Sequence, residues 1–181
     1  MKLRLGCIVP LVPLVLLGCC WAMSAAAVDG VSFEGGRGDG ATMARAGLQW
    51  NYDKQWLKGD RWHVGGYWDL SAGHWRRDAL AFQNDSLTEI GLTPTLRLQQ
   101  NDGKGLYANA GIGFHLLSKT SLGGKRFGTS FQFGNHLGVG YRLGPKNAFD
   151  LGLRYQHLSN ASIKQPNNGI NFTQARMQYW F

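Results

Sequence analysis

The run Leu106-Tyr107-Ala108-Asn109-Ala110-Gly111-Ile112-Gly113-Phe114-His115-Leu116 decides the fold. Its even positions are all apolar, and its odd positions hold Tyr, Asn, Gly and His. A β-strand sends successive side chains to opposite faces, so this pattern gives one apolar wall and one polar or small-residue wall. Strands of soluble sandwiches average about five or six residues, whereas a tilted strand needs about ten to cross a bilayer. The length favours a strand with lipid on its apolar side.

The same alternation extends in both directions. It recurs in Ala44 to Tyr52, Trp62 to Ala72, Thr93 to Gln99 and Phe131 to Leu143, and again near residues 149 to 159 and 171 to 181. A weaker segment around Val31 and Phe33 makes eight. The expected fold is therefore all-β: an eight-stranded antiparallel transmembrane β-barrel of the bacterial outer membrane, narrow enough to be filled by its own side chains. Trp50 with Tyr52, Trp62, and Tyr179 with Phe181 stand toward the ends of apolar rows, where an interfacial girdle belongs. Phe181, with Tyr179 and Met177 in its row, resembles the terminal signature of such barrels.

Composition agrees. Of 181 residues, 26 are Gly, 12% are aromatic and only 17% are charged, against about 25% charged in soluble domains. The aromatics exclude disorder, and the glycine content excludes a long-helix protein. The formal charge of +8 is scattered, with no basic block longer than Arg76-Arg77, so no nucleic-acid surface is expected.

Residues 1–27 follow other rules. Lys2 and Arg4 precede an apolar run from Leu5 to Trp21 and then Met23-Ser24-Ala25-Ala26-Ala27, the plan of a signal peptide cleaved after Ala27. The expected mature domain is 28–181. Cys7, Cys19 and Cys20 all fall in the leader, which excludes disulfides, thiolate metal sites and cysteine nucleophiles from the mature chain. A rival lipoprotein box, Leu16-Leu17-Gly18-Cys19, is the poorer match. Connections around 57–60, 101–104 and 144–147 read as short periplasmic turns, and those around 37–42, 74–86, 118–128 and 160–169 as longer extracellular loops. Strand seven then ends near Ser159 at the outer leaflet.

That strand carries the candidate chemistry. Its odd row runs Leu151, Leu153, Tyr155, His157, Ser159. Two polar groups at the rim of a lipid-facing row can simply meet water and headgroups. Alternatively, an imidazole two residues from a hydroxyl on one face can remove its proton and generate a nucleophile.

The stretch Tyr155-Gln156-His157-Leu158-Ser159-Asn160-Ala161, continued by Ser162-Ile163-Lys164-Gln165-Pro166-Asn167-Asn168-Gly169-Ile170, strongly resembles the lipid A 3-O-deacylase (PagL) family and its His-x-Ser-Asn-Ala motif. Leu48 to Lys54, Gly66 to Asp69 and Ala110 to Gly113 extend the likeness over essentially the whole mature chain. The resemblance implies an outer-membrane barrel that hydrolyses the ester at the 3 position of lipid A without a metal or other cofactor. By motif position it implies Ser159 as nucleophile, His157 as general base, and the Asn160 side chain with the Ser162 backbone N–H at the oxyanion. Phe133, Asn167 and Lys164 would contact substrate. The implied partner is lipopolysaccharide of the outer leaflet, and a homodimer stays open.

One position departs. Where the family has a glutamate that orients the histidine, this chain has Asn171. An amide can still accept the imidazole N–H and fix its tautomer, as in Cys-His-Asn proteases, but stabilises imidazolium less than a carboxylate does. The outer-membrane phospholipase A family, with an Asn-His-Ser triad, is a precedent. The two glutamates, Glu34 and Glu89, are remote from the motif, and the parity of Asp150 points it into the lumen. His63, His115 and His136 lie in polar rows and read as packed interior histidines rather than metal ligands. His74, Arg76, Arg77, Lys119, Lys125, Arg126 and Lys164 lie on outer loops or loop bases, where they could meet lipid phosphates. A noncatalytic envelope barrel and a phospholipid esterase remain the rival functions.

Overall fold

The computed structural model describes residues 27–181; the expected leader, apart from Ala27, lies outside the described residues. Eight strands close into a barrel: β1 (Gly30–Gly38), β2 (Ala41–Asn51), β3 (Trp62–Arg77), β4 (Ser86–Gln100), β5 (Gly105–Leu117), β8 (Phe131–Leu143), β9 (Phe149–Ser159) and β10 (Ile170–Trp180). A small hairpin, β6 (Ser121–Leu122) and β7 (Lys125–Arg126), lies in the connection between β5 and β8. Every barrel strand is antiparallel to its neighbours, and β1 pairs with β10 to leave no open edge.

The period of two sorts the side chains. Leu137, Val139, Leu151 and Leu153 point outward and are more than half exposed, whereas Glu34, Arg45, Arg97, Asp150, Arg154 and Arg176 are buried inside. An apolar wall facing out and a polar interior is the signature of a membrane barrel. The interior is paired: Glu34 meets Arg45, Arg154 and Arg176; Arg176 also meets Asp69; Arg45 binds Glu89; and Arg97 meets Asp150. Buried charge survives only when paired, and here each buried carboxylate faces guanidinium.

One end of the barrel is apolar inside as well. Trp75, Leu117, Leu158 and Phe172 pack there with Leu122 and Phe127 of the β6–β7 segment, which folds over that mouth as a cap. At the other end Phe149, Tyr179 and Phe181 stack edge to face on the outer surface, with ring centroids 5.2 and 5.6 Å apart. Along β9, ten steps separate Phe149 from Ser159. At about 3.3 Å per residue and about 40° of tilt they span roughly 25 Å, the height of a barrel's apolar band. Ser159 therefore stands at the capped rim, opposite the aromatic one.

Two connections differ from the sequence expectation. Residues 37–42 are not a long loop: β1 and β2 are joined by Asp39-Gly40 alone, both at positive φ (50° and 75°). This is the twist-matched two-residue hairpin that Asp-Gly favours. Conversely, residues 52–61 are longer than a short turn, and Trp56 returns to pair with Val64. The remaining connections at the capped end, 78–85, 118–130 and 160–169, are long, and at the opposite end 101–104 and 144–148 are short.

Candidate active site

β9 delivers His157 and Ser159 to the same outward wall, both half-buried, while Gln156 and Leu158 beside them are buried inward. The ladder places His157 between Asn135 of β8 and Asn171 of β10, and Ser159 beside Phe133. His157 Nδ1 lies 2.8 Å from Asn171 Oδ1. A hydrogen bond there puts the proton on Nδ1 and leaves the Nε2 lone pair as the basic site. The expected outward position of Asn171 is the one observed.

The opposite face of Asn171 meets a group the sequence reading passed over. Asp39 Oδ2 accepts from the Asn171 backbone N–H (3.1 Å), from Asn171 Nδ2 (3.2 Å) and from Lys125 Nζ (2.9 Å). Lys125 Nζ also donates to the Gly169 carbonyl at 2.8 Å. Burial alone would push the Asp39 carboxyl up, but the hydrogen bonds from Lys125 and Asn171 outweigh it and hold the group below its ordinary range. Lys125 is thus an internal clamp, not a free loop cation. The available signal for Asp39 was the Asp-Gly pair, which fixes a turn yet says nothing of what that turn touches.

After Ser159 the chain turns sharply. Ala161 and Ser162 both have left-handed φ (51° and 63°), and Ile163 N–H donates back to the Asn160 carbonyl at 3.0 Å. Two consecutive non-glycine residues in this region cost about 1–3 kcal/mol each, and such strain gathers at functional sites. Asn160 holds the turn down. Its Nδ2 donates to the Phe127 carbonyl (2.8 Å) and the Lys164 carbonyl (2.7 Å), and its N–H goes to Asn167 Oδ1 (2.9 Å). Both amide protons of Asn160 are therefore engaged, which corrects the expectation of that side chain as an oxyanion donor. The turn's own hydrogen bond uses only the Ile163 N–H, so the backbone N–H of Ser162 stays outside it. Asn167 braces the same turn, with Nδ2 3.3 Å from Ser162 Oγ, and the Lys164 side chain is exposed.

Gly169 (φ 54°) closes the loop directly against the imidazole: a Cβ there would stand 2.9 Å from His157 Cε1. Phe133 joins Phe114 and Phe131 in an aromatic cluster beside Ser159, with centroids 5.0 to 5.9 Å apart. On the other side an apolar groove of about 770 Å³ runs from His157 past Tyr155, Leu137, Ile112 and Leu96. The histidines of the polar rows, His63, His115 and His136, are buried on the lumen side. His63 meets Asn101 and Gln99, and His115 meets Gln156 and Glu89. Among the described residues no three His, Cys, Asp or Glu side chains gather as a metal-binding group.

A family model described as lipid A 3-O-deacylase (PagL) matches residues 42–180. The chain belongs to this family. It is 34% identical over 172 residues to a lipid A deacylase PagL of Bordetella bronchiseptica, covering 91% of this chain and 90% of the relative. It is 31% identical over 164 residues to a lipid A deacylase PagL of Pseudomonas aeruginosa, covering 90% and 92%. Among solved structures, the outer membrane enzyme PagL superposes with a TM-score of 0.75 at 27% identity, covering 84% of this chain and 99% of that one. The match spans both the barrel and the His157–Ser159 segment.

Proposed function

We propose that this PagL-family barrel resides in the outer membrane as residues 28–181 and hydrolyses the ester-linked 3-hydroxyacyl chain at the 3 position of lipid A. The observation that carries the reading is the outward His157–Ser159 pair with Nδ1 held by Asn171. Ester hydrolysis at a membrane surface needs a nucleophile that opens toward lipid, and this pair does.

His157 Nε2 takes the Ser159 Oγ proton as Oγ attacks the ester carbonyl. The tetrahedral oxyanion is met by the Ser162 backbone N–H, presented by the strained turn that Asn160 and Asn167 brace. Collapse breaks the bond to the sugar oxygen, which takes the proton from imidazolium and leaves as the hydroxyl. Water then attacks the acyl-enzyme with His157 again as base, releasing a 3-hydroxy fatty acid and restoring Ser159. Asn171 keeps imidazolium oriented but gives it less charge stabilisation than a carboxylate would. The aromatic cluster at Phe133 and the apolar groove suit acyl chains, and Lys164 suits a lipid A phosphate. With the site at the capped rim, substrate comes from the outer leaflet.

The test is purified protein in detergent supplied with lipid A, the products read by mass spectrometry. Loss of one hydroxyacyl group is expected, and Ser159→Ala should abolish it. Release that continues unchanged in Ser159→Ala removes the serine from its role. Release from phospholipid alone would instead make the protein a phospholipid esterase, and no release from either would make it a noncatalytic barrel.

A further inference from the structure

We infer that Asp39 is a positioning residue for His157, acting through Asn171 by fixing which end of that amide faces the imidazole. The inference rests on the proposed hydrolase reading.

An asparagine beside a histidine is ambiguous in a way that a glutamate is not. Its side chain has an acceptor end and a donor end of nearly the same shape, and the end that faces the imidazole selects the tautomer. With Oδ1 toward Nδ1, the imidazole carries its proton on Nδ1 and Nε2 is basic. With Nδ2 toward Nδ1, the proton must sit on Nε2, and His157 can no longer take one from Ser159. A carboxylate accepts only. Asp39 therefore admits Nδ2 alone on its side of Asn171, and Oδ1 is forced toward His157 Nδ1, as observed at 2.8 Å. The backbone N–H of Asn171 points to the same Asp39 oxygen, fixing main chain and side chain together.

Lys125 makes the arrangement a lock. Its Nζ binds Asp39 Oδ2 and the Gly169 carbonyl, tying the β1–β2 turn, the capping hairpin and the start of β10 around one carboxylate. Because the ammonium largely neutralises Asp39, the main contribution of that carboxylate is acceptor geometry, with its charge secondary. Without Asp39, the Lys125 ammonium would be left beside Asn171 and would attract Oδ1, turning the amide the wrong way. A charge-assisted hydrogen bond biases two such orientations by roughly 10- to 100-fold.

The informative variant is Asp39→Gly, which removes the carboxylate and suits the left-handed φ of 50°. Retention of the heat-modifiable barrel band on a cold gel shows that it has folded. Its kcat for hydroxyacyl release should fall about 10- to 100-fold with KM within about twofold, below the roughly 10⁴-fold that a fully wrong tautomer costs. Asp39→Asn keeps an acceptor oxygen and should lose no more than about fivefold. Adding Asn171→Glu to Asp39→Gly should restore kcat to near wild type, because a carboxylate has no wrong end. A readout independent of turnover is the ¹⁵N spectrum of histidine-labelled protein, with the His157 signal assigned by His157→Gln. It should show the Nδ1–H tautomer in wild type, a shift toward Nε2–H in Asp39→Gly, and its return in the double variant. An Asp39→Gly protein that keeps both wild-type kcat and the Nδ1–H tautomer overturns the inference. So does a loss of kcat with the tautomer unchanged and no rescue by Asn171→Glu. If Ser159→Ala stays active, the hydrolase mechanism fails, while the spectrum still judges the Asp39 inference separately.

Discussion

The two faces of β9 use polar residues in opposite ways. On the inner face Arg154 reaches Glu34, and Gln156 accepts from Arg45 and Gln174, so the polar groups share partners from several strands in a sealed interior. On the outer face His157 is held by Asn171, its one side-chain hydrogen-bond partner among the described residues, and stands on the lipid-facing wall. The inner network is built for structure, because a buried charge that loses its partner is costly. The outer pair is built for chemistry, because an imidazole held on one nitrogen keeps the other free to work. On a single strand, the parity of the residue number separates scaffold from site.

That contrast can be broken from either side. The largest effect belongs to the outer face: His157→Ala should lower kcat by on the order of 10⁴-fold or more while the folded band on a cold gel is unchanged. The inner face should answer in the other currency. Glu34→Ala leaves three guanidinium groups without their common carboxylate and should cost about 3–5 kcal/mol, read as a lower urea midpoint, with kcat of the folded fraction close to wild type. A large kcat loss at unchanged stability would show that interior and site are not separate systems.

Smaller effects sharpen the outer face. Gly169→Ala adds a Cβ against His157 Cε1 at a left-handed φ, and should reduce kcat about tenfold through a displaced imidazole, with little change in KM. Phe133→Ala removes part of the aromatic cluster beside Ser159 and should raise KM several-fold at near-constant kcat. The Asp39 lock should survive acidification into the ordinary carboxylate range. Its carboxyl is depressed in the folded protein, so the stability it contributes is present above its unfolded value and is lost only as pH falls through the lower folded one. The ¹³C signal of the Asp39 carboxyl should therefore still be that of the carboxylate at pH 5.

Much of this was legible in order along the chain. The eight strands, the outward row of His157 and Ser159, and the meeting of Asn171 with His157 across one hairpin all follow from period two and near-neighbour pairing, which are local properties. The Asp39-Gly40 hairpin was readable too, but in a run as glycine-rich as Gly35 to Gly40 it passed for part of a longer loop. The capping hairpin was not readable, since Leu122 and Phe127 lie in a segment too short to show a period. Nor was the clamp on Asn160: its partners, Phe127 and Lys164, are backbone carbonyls, which leave no mark on sequence.

The amino-acid order by itself determined which side chains face lipid and which face the lumen, because alternation along a strand needs no knowledge of the strand's neighbours. Only the closed barrel decided that Asp39 stands behind Asn171, 132 positions away. The pairing of β1 with β10 joins the two ends of the sheet, and no pattern within either segment encodes which loop that closure sets beside the histidine.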